Sequence, residues 1–248
     1  MFGLSDLKKR VSKPIDPGPR GPGAIEFVGL TKSYWTNSDH RKFVLKDCNA
    51  LFPAGCKIAL LGSNGAGKST LLRLISGAQD FDNGQIIRYG TVSYPIGYSG
   101  SFHGDLTGAQ NVRFVGRVHG VDTDALLAYV EDFAELGDFL YMPFRTYSSG
   151  MRARLAFAVS MGVPFDCYLV DEVTSVGDQS FRDKCAEAFH TRLAGATTVL
   201  ATHGLAQVKS FCDMGAVLHD GQLTVYDSVD EAILVHQANL ARARTATS

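Results

Sequence analysis

A chain of 248 residues with 45% hydrophobic and 20% charged side chains can bury a sizeable core, as one large domain or two small ones. Its formal net charge of -1 argues against a global attraction to nucleic acid or to an anionic surface. The five scattered cysteines form no CxxC pair, which points to a reducing cytosol, and no run reaches the ~20 uninterrupted apolar residues of a membrane span.

Residues 1–23 stand apart as an arm and linker. Leu4, Leu7 and Val11 would line one stripe of a short helix beside Lys8, Lys9 and Arg10, and Pro14 would end it. Pro17, Gly18, Pro19, Gly21, Pro22 and Gly23 then make a stiff, helix-free linker. Two readings fit the arm: a disordered tail, or a segment resting on lipid headgroups or a partner. The opening residues lack the long apolar core and small-residue cleavage site of a secretory signal.

Strands are predicted over 24–30 and 43–52, the second ending at Pro53-Ala54-Gly55. A short apolar strand over 57–61 runs into Gly62-Ser63-Asn64-Gly65-Ala66-Gly67-Lys68-Ser69-Thr70, which fits G-x-x-x-x-G-K-[ST], and helical spacing follows over 69–76. The glycines let backbone N–H groups turn inward as a nest for phosphate oxygens, and the following helix presents its positive end to the same anion. Lys68 would reach the β- and γ-phosphates of a nucleotide, and the Ser69 hydroxyl would ligate Mg²⁺.

Residues 107–160 read as mostly helical. A strand over 166–171 ends in Asp171-Glu172. With a phosphate loop earlier in the chain, Asp171 becomes the second Mg²⁺ anchor and Glu172 the general base for the water that attacks the γ-phosphate. A buried strand over 197–201 leads to Thr202-His203, placing His203 as a γ-phosphate sensor beside the acidic strand, although a lone histidine is more often structural. A hairpin over 216–225 turns at Asp220-Gly221. Strands separated by helices predict an α/β sheet with the helix-rich middle inserted on one side.

Tyr147-Ser148-Ser149-Gly150-Met151, followed by Arg152-Ala153-Arg154-Leu155-Ala156, resembles the LSGGQ signature of ABC transporter nucleotide-binding subunits. The resemblance spans roughly 24–233. It implies a P-loop NTPase fold of the ABC type, a RecA-like core with a helical signature subdomain at about 100–160. The domain boundaries so implied are 1–23, 24–235 and a short tail over 236–248. It also implies a second anion site at Ser148, Ser149 and Gly150, closing on ATP held by a second copy of the chain. Asp178 falls where the family has its D-loop acid, and Tyr34 where it keeps an aromatic that stacks on adenine; an ordinary strand-end aromatic is the other reading of Tyr34.

Two departures stand out. Ser149 and Met151 replace the usual glycine and glutamine of the signature, and no glutamine lies between Gln85 and Gln110, where the family's Q-loop glutamine belongs. With Asp105-Leu106-Thr107-Gly108-Ala109-Gln110-Asn111-Val112-Arg113 and Asp171-Glu172-Val173-Thr174-Ser175-Val176-Gly177-Asp178, these features resemble the ATPases that export cell-surface polysaccharide in Gram-negative bacteria, the KpsT-type capsule exporters most closely. A chain ending soon after 233 favours that type over O-antigen ATPases with a C-terminal sugar-binding domain. The resemblance implies a homodimer at the cytoplasmic face of the inner membrane, using ATP and Mg²⁺, with an integral membrane permease and, through it, periplasmic and outer-membrane export components. No nucleic acid is expected. An ABC exporter of O-antigen, teichoic acid or a drug, or a non-transport ABC ATPase, are the rival readings. Tyr98, Phe102 and His103 would line a permease-docking groove, or else belong to the core of the insert.

Overall fold

The computed structural model describes residues 20–36, 40–97, 100, 102–171, 179–202 and 204–245. In chain order the elements are β1 (Ile25–Trp35), β2 (Arg41–Phe52), β3 (Lys57–Leu61), α1 (Lys68–Ser76), β4 (Asn83–Arg88), β5 (Val92–Pro95), α2 (Gly108–Val118) and α3 (Thr123–Ala134). Two short 3-10 turns, Gly137–Tyr141 and Phe144–Thr146, lead to α4 (Ser149–Gly162). The chain continues through β6 (Cys167–Asp171), α5 (Gln179–Arg192), β7 (Thr197–Ala201), α6 (Leu205–Phe211), β8 (Met214–His219), β9 (Gln222–Tyr226) and α7 (Val229–Thr245).

The main sheet has six strands in the order β5-β6-β7-β3-β8-β9, and all its pairings are parallel except that of β8 with β9. Alternation along its strands feeds two cores. Ile58 and Leu60 of β3, with Leu169 and Val199, join one cluster; Ala59 and Leu61, with Val170 and Leu200, join the other. Strands buried on both faces have no polar side, which is why they read as continuous apolar runs in the sequence. The first cluster takes in α1 through Leu71, Leu72, Leu74 and Ile75, and the second takes in the insert α2–α4 and the helices α5–α7.

The strands predicted at 24–30 and 43–52 form, with longer bounds, but not in the α/β sheet. They pair antiparallel as β1 and β2, and with β4 make a separate three-stranded sheet, β2-β1-β4, lying over α1. The connection between β1 and β2 is too short for a parallel crossover, which dictates the antiparallel arrangement. Strands β4 and β5 were not anticipated from the sequence. The hairpin forms as predicted: His219 pairs with Gln222 across Asp220 and Gly221, both at positive φ (47° and 76°), as a type I′ turn requires. Helix α7 runs across the boundary placed at 235, so most of the expected tail is helix; its Ala, Leu and Arg residues favour that state. The arm residues Leu4, Leu7 and Val11 lie outside the described residues.

Candidate nucleotide site

Parallel strands bring their carboxyl ends to one edge of the sheet, and the site is built there. The loop after β3 wraps back to open α1. Gly67 precedes the helix at φ 107°, a left-handed conformation that L side chains avoid, and a Cβ there would run into Val44 Cγ1. No side chain caps this helix end and no acid lies in its first turn, so its N–H groups are left for an anion. Lys68 Nζ donates to the loop's own carbonyls, Gly62 O at 2.8 Å and Ser63 O at 3.3 Å, which holds the loop curled around the amine.

Asp171 reaches the same place by sheet order. It pairs with Ala201 of β7, and Ala201 pairs with Leu60 of β3. The acidic strand therefore stands two strand spacings, about 10 Å, from the phosphate-loop strand. A cleft of about 620 Å³ lies between, lined by Tyr34, Lys42, Val44, Asn64, Gly65, Gly67, Lys68, Ser69, Thr70, Asp171, Ala201 and Thr202. The structure thus gathers Tyr34, the loop, Ser69 and Asp171 in one cleft. Gly62, Ser63 and Ala66 belong to the loop without lining the cleft. Glu172, Asp178 and His203 lie outside the described residues, although Asp171 and Thr202, their neighbours in sequence, stand at the cleft.

Lys42, Val44, Ala201 and Thr202 were missed in the sequence. Lys42 pairs directly across from Tyr34, and Val44 follows two residues on, so all three share one face of the small sheet. That signal is visible only once the β1–β2 register is known. Tyr34 is 42% exposed, and Lys32 Nζ sits 5.2 Å from its ring centroid. Burial pushes its hydroxyl up, but hydrogen bonds with Gln79 and Thr70 and the charges of Lys32 and Arg73 outweigh this and bring it below the usual phenol value.

The signature segment lies elsewhere. Ser148 caps α4, its Oγ accepting from Met151 N at 3.2 Å. Ser148, Ser149 and Gly150 are exposed and do not line the cleft of their own chain. A Cβ at Gly150 would meet no atom nearer than Ser148 Oγ at 4.0 Å, so nothing within the described chain requires glycine there.

A second hollow, about 80 Å³, lies where the insert meets β5. Tyr94, Phe102, Phe114, Val115, Val118, His119 and Phe165 supply most of its apolar lining. Burial lowers the pKa of His119, whose ring meets Phe165 edge-on at 5.0 Å. Phe102 is the one expected groove residue found here. Tyr98 lies outside the described residues, and His103 is exposed and does not line the hollow; its backbone N donates to Asn111 Oδ1 at 2.8 Å and its Nδ1 accepts from Asp105 N.

The sequence pattern described as "ABC transporter" matches residues 45–175. The ATP-binding protein BexA of Haemophilus influenzae is 46% identical, covering 84% of this chain and 95% of its own. The polysialic acid transport ATP-binding protein KpsT of Escherichia coli is 45% identical, covering 84% and 94%. Among solved structures, a dimeric ATP-binding cassette in a post-hydrolysis state with ADP and Pi superposes with a TM-score of 0.66 at 20% identity, over 80% of this chain and 96% of that one, a likeness of fold.

Proposed function

Because this chain belongs to the ABC transporter family, we propose that it is the ATP-hydrolysing subunit of an exporter that moves a capsular polysaccharide across the inner membrane. The observation that carries this reading is the near full-length similarity to KpsT, whose name specifies polysialic acid transport. No helix among the described residues is long and apolar enough to cross a membrane. In this reading a separate permease provides the path for the sugar. The subunit then works at the cytoplasmic face, and periplasmic and outer-membrane components join through that permease.

In this reading the loop from Gly62 to Thr70 cradles the phosphates, Lys68 leaves its carbonyl contacts to pair with the β- and γ-oxygens, and Tyr34 stacks on the adenine. Ser69 and Asp171 are hard oxygen donors lining one cleft. That set fits Mg²⁺, which takes one or two protein carboxylates and completes its shell with phosphates and water. Bound there, Mg²⁺ supplies charge neutralisation for the transferring phosphoryl group. Glu172 accepts the proton of the attacking water, and His203 reads the γ-phosphate. Ser99 and Ser101 are the candidates for the task of the missing glutamine.

Ser148, Ser149 and Gly150 complete the site of a second copy, with Asp178 at the same junction. Their exposure away from their own cleft, and the open space around Gly150, support a two-fold sandwich. The hollow lined by Tyr94, Phe102, Phe114 and Val118 supports permease docking at the seam between core and insert.

The test is a chromosomal Lys68→Ala substitution in the native host. Polysaccharide should accumulate inside the cell and disappear from the surface, while the purified variant stops releasing phosphate from ATP. Normal surface polysaccharide in a host whose purified variant is inactive would remove the capsular cargo.

A further inference from the structure

We propose that Gln79 is a positioning residue for base recognition, holding the ring plane of Tyr34 and tying it to the helix that carries the phosphates. The proposal rests on the reading above, in which Tyr34 stacks on the adenine. Gln79 Nε2 donates to the Tyr34 hydroxyl. This half-buried glutamine sits just past the end of α1, where Ala78 N donates to Arg73 O at 2.9 Å, so the helix terminus sets its place. Three residues on, Asp82 is laced to the strand beside Tyr34. Its Oδ2 accepts from Ser33 N at 2.9 Å and Ser33 Oγ at 2.5 Å, and its own N donates to Thr31 O at 2.9 Å. The turn after α1 therefore grips both the backbone next to Tyr34 and the tip of its side chain.

The physical consequence is pre-organisation. An exposed tyrosine near a strand end samples rotamers on the ps–ns scale, and a base that stacks on it must first select one plane. Fixing the hydroxyl removes that ordering cost from binding. The N-terminus of α1 meets the phosphates, and the turn beyond its C-terminus fixes the base platform. One short helix thus sets the spacing between the two ends of the nucleotide. The contribution of Gln79 belongs to the base and not to the phosphates.

That distinction is measurable by calorimetric titration with Mg²⁺–ATP and with Mg²⁺–tripolyphosphate, which has phosphates and no base. Gln79→Leu and Tyr34→Phe should each weaken ATP binding about fivefold, a fraction of the stacking contribution, and leave tripolyphosphate binding unaltered. The double variant should bind ATP no worse than Tyr34→Phe alone, because losing the hydroxyl already removes the Gln79 contact together with that of Thr70. Retained tripolyphosphate binding also reports an intact fold. Unaltered ATP affinity in both single variants, or an equal loss for ATP and tripolyphosphate, overturns the proposal. Tyr34→Ala separates the two ideas: if it weakens ATP binding while Gln79→Leu and Tyr34→Phe do not, only the positioning role fails, and if it too leaves ATP affinity unaltered, the stacking reading fails with it.

Discussion

At the scale of single residues, the phosphate loop meets two demands at Gly67. Its φ of 107° excludes most L residues, and a β-carbon would run into Val44, which itself lines the cleft. Gly67→Ala should therefore cost about 1–3 kcal/mol of stability through backbone strain, or move the loop and weaken ATP binding. Urea denaturation with and without nucleotide checks this, and an unmoved midpoint with unaltered affinity would show that the loop tolerates the extra carbon. Glu172 calls for a different experiment, since its role rests on following Asp171 in the sequence. Glu172→Gln keeps the side chain's size and removes its proton-accepting charge. The variant should bind ATP, release phosphate at least ~100-fold more slowly, and accumulate as a closed dimer on size exclusion. Near-normal turnover would remove Glu172 from the base role.

At the scale of elements, one of the polar links between the helical insert and the core is made by a residue in an unusual conformation. Glu135 closes α3 at φ 53°, where glycine or asparagine is the usual choice. Its carboxylate bridges Lys184 of α5 at 2.8 Å and Arg154 of α4 at 3.7 Å. The pairs are partly exposed, so together they contribute on the order of 1 kcal/mol, about the same as the cost of the left-handed backbone. Glu135→Gly removes both terms and should be nearly neutral, whereas Glu135→Ala keeps the strain and loses the bridges. Chemical denaturation should place the alanine variant about 1 kcal/mol below the glycine variant; the reverse order would show that the conformation carries no strain. Such balances cannot be read from a sequence, and they mark the limit of what was legible in it. The phosphate loop, the acidic strand and the Asp220-Gly221 turn were legible because each is a contiguous motif with its own local geometry. The small sheet was not, because β4 reads Asn-Gly-Gln-Ile-Ile-Arg with little alternation and its partner β1 lies far back in the chain. Lys42 joins the cleft only through the Tyr34–Lys42 register, a pairing that composition does not reveal.

At the scale of the whole molecule, the proposed two-fold sandwich makes each ATP site depend on a second chain. A Lys68→Ala chain and a Gly150→Asp chain should each be inactive, yet a mixed dimer should regain one complete site, read as recovered phosphate release. No recovery with heterodimers demonstrated would count against the trans arrangement. Coupling to a permease makes a separate demand on the seam between core and insert. Phe114 and Val118 stand four residues apart on α2, 53% and 62% exposed, with Tyr94 beside them at 39%. Such side chains in a hollow are the kind of anchor that concentrates binding energy at interfaces. Phe102 is a poorer choice for mutation, because its ring also packs against Phe144 at 5.2 Å and its loss would disturb the insert. Since Phe114 and Val118 lie outside the nucleotide cleft, truncating both to alanine should leave ATP hydrolysis by the isolated subunit within about fivefold of normal, equivalent to ~1 kcal/mol. Export by the assembled transporter should fall sharply, because ATP-driven closure would no longer pull on the permease. Crosslinkers placed at 114 and 118 should capture that permease. If hydrolysis and export fall together, or crosslinking captures nothing while the transporter still exports, this hollow is packing for the insert and the coupling contact lies on another face.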